Sequence, residues 1–516
     1  MPWRCLCSAP GQEAQPSLNC DWAVTGGSVS EQIQGMWWTP GTPDQRVPGT
    51  LTRVEDGWRL DLIGALSTDP SGEDSLHLVP PQTIWGACRG VLYTLMECYL
   101  RDVLNSRGTG VPEDVSDQWL TTWRVESVVR GGTVTEATPF RSASFEITGL
   151  PAWWPPSGLR GPQARSGAYE QPDDVSVPLQ DGEITIGVRG MPRHGRRVRS
   201  LRERVVVWVE KSTGFTLEDL AKDTVEPLRA LVAIGVDEPV SVFNLRVNPL
   251  SPDPDGRPSR SFEVDPQDSA EPEELPSTLP APLPLSPALP DVPSFIPAWL
   301  EVARRCSVPL DAVEPRQRSG SLQLQFLDVV NAAETLHRSL HAEPAEYPFA
   351  ERVREALKDF GGFSAEERRT VRDAVKFTET SLENRLLALA EVLGSEVCDW
   401  LFDGNVRPWA YVTARLRNVL SHWFAAPDGV HEDPGALVGA LRLTEAVITL
   451  RLFLEAGLPS GTSLVSQLER HRGLRSLSKQ SIADWPLLAH RINSRQWPQP
   501  HSEHEQSDGE EEDIKP

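Results

Sequence analysis

The ten residues "RLRNVLSHWF", 415–424, set Arg415, Arg417, Asn418 and His422 among Leu416, Val419, Leu420, Trp423 and Phe424. A histidine whose ordinary pKa is about 6.5 exchanges protons near neutrality, while a guanidinium stays charged and meets a phosphate with two parallel donors. These types suit work on a phosphodiester. The imidazole would take the proton of a ribose 2′-hydroxyl or give one to the leaving 5′-oxygen, and the arginine would stabilise charge on the pentacoordinate transition state. Asn418 is placed to orient either partner.

Spacing alone carries little. With 44 arginines and ten histidines in 516 residues, and three allowed separations, chance supplies about 2.6 such pairs. Arg189 with His194 and Arg495 with His501 are further examples. The first pair lies in "RGMPRHG", which reads as a Gly/Pro loop, and the second reaches into a polar tail. Only Arg417 and His422 share an apolar-patterned helix, near its C-terminal end. At about 100° per residue, Arg415, Asn418 and His422 fall on one face with Tyr411, whereas Arg417 lies about 140° from His422. Helix geometry therefore favours Arg415 as partner.

The elements around this stretch are helical. "PWAYVTARLRNVLSHWF" starts at Pro408, and "LQLQFLDVVNAAETLHRSLH" repeats Phe326, Val329, Val330, Ala333, Leu336 and Leu340 at three- and four-residue spacing. "SLENRLLALAEVLGSEVCDWL" reads as another helix. "DPGALVGALRLTEAVITLRLFLEAG" has Asp433 as cap, Pro434 at the first position and Gly457 as stop. "SLVSQLERHRGLRSLSKQSIADWPLLAHRIN" adds one or two more, and the result is an antiparallel bundle.

The first half is β-rich. "GTLTRVEDGWRLDLIG" is a hairpin with Trp58, Leu60 and Leu62 on one face; "TVTEATPFRSASFEITGL", "GEITIGV", "RERVVVWVE" and "PVSVFNLRVNP" are further strands. "TLEDLAKDTVEPLRALVAIG" is a short helix starting at Thr216. From 249 to 293 proline recurs every few residues, so this stretch reads as an extended linker unable to close a strand ladder. The expected fold class is α+β: a β-rich N-terminal domain at 1–248, a proline-rich linker at 249–293, a helical domain at 294–495 and an acidic disordered tail at 496–516.

Composition limits the alternatives. Net charge of −23 excludes coating nucleic acid by bulk electrostatics, and any local basic patch would be built from arginine. No apolar run is long enough to span a membrane, and no secretory leader is evident, so the expected location is the cytoplasm. Seven scattered cysteines, with no C-x-x-C pair, read as reduced thiols rather than disulfides or a zinc site. His337 and His341, four apart, read as surface histidines. Trp37, Trp38, Trp153 and Trp154 read as core anchors rather than a base-stacking platform. Glu334 and Arg338 read as an exposed i,i+4 ion pair.

"RNVLSH" in a helical bundle resembles the arginine, polar residue, three residues, histidine motif of the HEPN ribonucleases. "GMWWTPG", "VPGTLTRVEDGWRLDLIGAL" and "FLDVVNAAETLHR", in that order, resemble the ApeA type of anti-phage protein, whose C-terminal domain is an Apea-like HEPN domain. The resemblance runs from about Gly35 to Pro459. It implies a metal-independent endoribonuclease without cofactor that leaves a cyclic phosphate on RNA, with tRNA as one candidate. It also implies a homodimer formed through the HEPN domain, control by the N-terminal domain, and a phage-derived trigger of unknown identity. On the family pattern the catalytic residues are Arg417 and His422 with Asn418; Arg415 stays second, and Glu334 and Tyr411 are supporting residues. The alternatives are a non-catalytic HEPN dimerisation module that binds nucleic acid or protein, and a HEPN toxin held off by its own N-terminal domain.

Overall fold

The computed structural model describes residues 31–54, 57–66, 82–105, 119–154, 158, 169–194, 199–251, 261–266, 292–315, 320–341, 350–359, 362–376, 380–422, 433–469 and 473–479. The acidic tail, His501 and Cys5, Cys7 and Cys20 lie outside them.

Alternating apolar residues build the N-terminal part. Strands β1 (Gln32–Trp38), β2 (Val47–Val54), β3 (Gly57–Ile63), β4 (Gln82–Cys88), β5 (Val91–Asn105) and β6 (Trp119–Arg130) pair antiparallel in the order β3-β2-β1-β4-β5-β6. Pairing of β3 with β6 closes them into a barrel, which removes the free edges an open sheet would expose. Trp58, Leu60 and Leu62 point inward as their alternation predicts, around Trp37 and Trp123. Trp37 fits because its neighbours lack side chains: a Cβ on Gly86 would lie 2.2 Å from the indole. Trp38, Trp153 and Trp154 are buried too, as expected of core anchors.

The sheet continues past the barrel through β7 (Phe140–Ile147), β8 (Val175–Leu179), β9 (Gly182–His194), β10 (Arg199–Phe215), β11 (Val242–Pro249) and β12 (Phe262–Pro266), in the order β6-β12-β11-β7-β10-β9-β8. Two sequence expectations are corrected here. The stretch 249–293 does contain a strand: "FEVDP" alternates well enough for β12 to pair with β6 and β11, and Arg53 on β2 holds its Asp265 at 2.6 Å. The first six residues of "RGMPRHG" are strand rather than loop, because Arg189 to His194 continue the β9 ladder against β10.

Short helix α1 (Leu150–Trp153) is followed, after the strands, by a helical run from α2 (Leu217–Leu220) through a π-type turn at Ala221–Val225 into α3 (Glu226–Val236). Thr216 caps it in a reciprocal box with Asp219. The C-terminal part comprises α4 (Val292–Arg305), α5 (Ser307–Val313), α6 (Leu322–Leu340), α7 (Ala350–Asp359), α8 (Ala365–Lys376), α9 (Leu382–Glu391), α10 (Ser395–Phe402), α11 (Val406–His422), α12 (Pro434–Glu455) and α13 (Thr462–Leu468). Helix α12 starts on Asp433, whose side chain accepts from the amides of Gly435 and Ala436. The single helix expected over 381–401 is instead α9 and α10. Gly394, at φ 87°, turns the chain where the apolar pattern runs on unbroken.

The two parts share one apolar core. Phe145, Val207 and Leu231 belong to the same buried cluster as Trp299, Val330, Leu416 and Phe453. The seam runs through α3, α4 and α5: Trp299 Nε1 donates to the Pro227 carbonyl at 2.8 Å, and Arg229 forks onto the buried carboxylate of Glu314. Among the described residues no helix is long and apolar enough to cross a membrane.

Candidate active site

Helix α11 buries Trp409, Ala410, Val412, Thr413 and Leu416 in the bundle, which fixes its rotation and leaves the intervening residues on the rim. That rotation sorts the two arginines. Arg415 Nη1 donates to the Tyr411 hydroxyl at 3.2 Å, one turn back on the same helix. Arg417 turns toward α6, where its Nη2 lies 3.6 Å from Glu334 Oε2, and its Nη1 donates to Asn418 Oδ1 at 3.3 Å. Arg417, which donates to Asn418, thus reaches Glu334, while Arg415 reaches Tyr411. His422 is the last residue of α11, five positions after Arg417. Its side chain lies outside what the structure describes.

Glu334 is more than half of a surface ion pair. Arg338 Nη2 donates to its Oε1 at 3.0 Å, as the i,i+4 spacing predicts, but Arg385 Nη1 reaches the same oxygen at 2.5 Å from α9. The Arg385 side chain is 1% exposed, so Glu334 neutralises a charge inside the bundle. Three guanidiniums share one carboxylate at the α6–α11 rim. Since Arg385 and Arg338 both use Oε1, Arg417 meets the other oxygen at ion-pair rather than hydrogen-bond distance. Such a group is oriented by Glu334 yet keeps donors for an incoming anion.

Arg385 was not evident from the motif. Its signal is in "LENRLLAL": Leu382, Arg385, Leu386 and Leu389 follow the i, i+3, i+4, i+7 pattern of a buried stripe. A charged residue inside that stripe demands a buried counter-charge. His337 is corrected from surface to buried, with its ring 4.6 Å from that of His341, because α6 turns this face into the bundle. Among the described residues, no group of three or more His, Cys, Asp and Glu side chains is placed to hold a metal ion. Cys98, Cys306 and Cys398 are buried free thiols, and burial raises each above its ordinary pKa.

A barrel-bearing β part is fused to this helical bundle, and Arg417, Asn418 and His422 lie on one of its helices. Residues 327–462 match the Apea-like HEPN family model, and residues 32–266 match that of ApeA N-terminal domain 1. The chain is of the ApeA type, with a C-terminal HEPN domain. HEPN domains are generally nucleases acting on RNA, and the pairing with an ApeA N-terminal domain points to a HEPN-based anti-phage effector. No match is found among curated proteins or among solved structures.

Proposed function

We propose that this chain is an anti-phage endoribonuclease that cleaves RNA without a metal ion, using Arg417 and His422. The observation that carries this reading is Arg417 drawn to Glu334 beside Asn418, one and a half turns before a histidine at a helix C-terminus. The 2′-oxygen attacks phosphorus, a new P–O bond forms, and the bond to the 5′-oxygen breaks. The products are a 2′,3′-cyclic phosphate and a 5′-hydroxyl. His422 takes the 2′-hydroxyl proton as the 2′-oxygen attacks, and the imidazolium so formed gives a proton to the departing 5′-oxygen. Arg417 neutralises the extra charge on the equatorial oxygens. Arg415, held at Tyr411, serves the flanking phosphate, and a second copy of the chain completes the site through a HEPN homodimer. The substrate is RNA, with tRNA as one candidate; the location is the cytoplasm and the trigger is phage-derived.

The β part, residues 1–248 with β12, is the regulator, and 294–495 is the effector. A second reading, a toxin restrained by its own N-terminal part, is favoured by the seam of α3, α4 and α5, because a shared core transmits a change in either part. The test is incubation of the full chain and His422→Ala with total cellular RNA and a chelator, under phage-activating conditions. Cleavage by the parent alone, leaving cyclic phosphate ends, supports the nuclease; no cleavage by either supports a non-catalytic HEPN module, and equal cleavage by both overturns the assignment of His422.

A further inference from the structure

The outer surface of the barrel carries an apolar row whose six residues come from six strands. Leu92 on β5 is the direct partner of Ala87 on β4, Ala87 of Met36 on β1, and Met36 of Pro48 on β2. Pro48 stands next to the Gly49↔Leu62 pair, beside Ile63 on β3, and Ile63 is the direct partner of Leu120 on β6. Met36, Ile63 and Leu92 alternate with the inward-facing Trp37, Leu62 and Tyr93, so the row faces outward. Its large members stay open to solvent: Met36 is 39% exposed, Leu92 40%, Leu120 46% and Ile63 54%.

The row does not circle the barrel. It starts on β5 at Leu92 and comes back to that strand at Leu104, the partner of Leu120, so the register is strongly staggered and the strands are steeply tilted. A row of direct partners therefore runs lengthwise along one flank. Five steps between strands about 4.8 Å apart make it about 24 Å long. Two arginines bracket it, because side chains two apart on a strand share a face. Arg46, two before Pro48, lies on one side, where it stacks 4.6 Å over the Trp38 ring. Arg89, two after Ala87, lies on the other, since β4 runs antiparallel to β1 and sets Trp85 opposite Trp38. Among the described residues neither arginine forms an ion pair. The carboxylate on the Arg89 side, Asp61, is held by Arg59 and Thr122.

We propose that this flank docks an acidic amphipathic helix of a partner protein, apolar along one face with carboxylates on either side of it. A helix advances 5.4 Å per turn, so one apolar side chain per turn meets one strand after another, and about 24 Å takes four to five turns, roughly 16 residues. The apolar face covers the row while the flanking carboxylates reach Arg46 and Arg89. A second copy of the chain fits less well. A strip about 24 Å long and one helix, about 10 Å, wide covers about 240 Å², against the roughly 800 Å² that each partner of a stable dimer buries. The surface belongs to the β part and does not depend on the cleavage chemistry assigned above.

The test is binding of a synthetic probe to the full chain. A labelled helical peptide of about 18 residues, leucine on one face and glutamate on both flanks, is titrated by fluorescence anisotropy. The same peptide with lysine flanks, and anionic vesicles, are titrated beside it. The glutamate peptide binds more tightly than the lysine peptide. I63T/L120T, which replaces two half-exposed apolar side chains with one that strands accept, weakens it at least about tenfold. I63V/L120I keeps the affinity, which separates loss of the surface from loss of the fold. R46Q/R89Q abolishes the preference for glutamate over lysine flanks. Equal affinity of the parent for the two peptides, binding of neither, or unchanged affinity in I63T/L120T would overturn the proposal. So would vesicle binding without peptide binding, or a parent dimer in sedimentation that I63T/L120T dissociates, which would assign the flank to a lipid surface or to a second copy. Failure of RNA cleavage in the parent chain would leave these binding results standing.

Discussion

Arg417 Nη2 lies 3.6 Å from Glu334 Oε2, across the gap between α11 and α6, while the other oxygen of that carboxylate is occupied by the buried Arg385. The geometry links a buried charge to an exposed one through a single side chain. It explains how an arginine about 140° around an ideal helix from His422 is held at a defined place: a partner on a neighbouring helix positions it.

Glu334→Gln should therefore destabilise strongly. It removes the carboxylate charge 2.5 Å from the Arg385 guanidinium, which is 1% exposed, and breaking a buried pair from one side costs about 3–5 kcal/mol. Arg338→Ala, on the half-exposed partner of the same carboxylate, should cost no more than about 1 kcal/mol. Urea denaturation of the two variants checks this, and equal losses would show that Arg385 does not depend on Glu334.

The continuous core predicts one unfolding transition for the β and helical parts together. Glu314→Ala removes the buried partner of Arg229 while Glu226 stays 2.6 Å from its guanidinium, and should shift that single transition downward by about 1.5–3 kcal/mol, the loss of a charged hydrogen bond. Calorimetry on the parent and variant decides. Two resolved transitions, with one of them moved, would mean that the seam does not couple the parts.

Asp265 supplies a pH signature for the barrel. Burial pushes its carboxyl up to about 6 even though Arg53 beside it pulls the other way. Its folded value is above the unfolded one, so the native state binds the proton more tightly. That contribution is fully present below about 4 and is lost as pH rises through about 6. Asp265→Asn should compare more favourably with the parent at pH 8 than at pH 5, by denaturant titration at both values. A difference of the opposite sign would show that the Arg53 pair outweighs burial.

Much of this was legible where the cause is local. The cap and stop of α12, the alternation of Trp58, Leu60 and Leu62, and the periodicity of α6 are written in neighbouring residues. The candidate helix and its Arg417, Asn418 and His422 were readable for the same reason. What escaped is set by distant pairing. Strand β12 depends on β6, β11 and Arg53, and the role of Arg385 depends on Glu334, 51 positions earlier. Helices α4 and α5 complete a seam whose other side is α3, so their apolar faces make sense only once the β part is folded. The break at Gly394 was hidden because α9 and α10 bury residues on both sides of it.

The most direct test compares the two arginines. Arg417→Ala and Arg415→Ala chains, each matched to the parent in thermal stability, are assayed for kcat/KM on the same RNA in chelator. Loss of a donor aimed at transition-state charge costs on the order of 10²- to 10³-fold. The geometry predicts that loss for Arg417→Ala, carried in kcat, and a smaller change carried in KM for Arg415→Ala, whose guanidinium is bound to Tyr411. A full-strength Arg417→Ala enzyme beside an inactive Arg415→Ala enzyme would contradict the assignment of Arg417 as the residue Glu334 positions for catalysis.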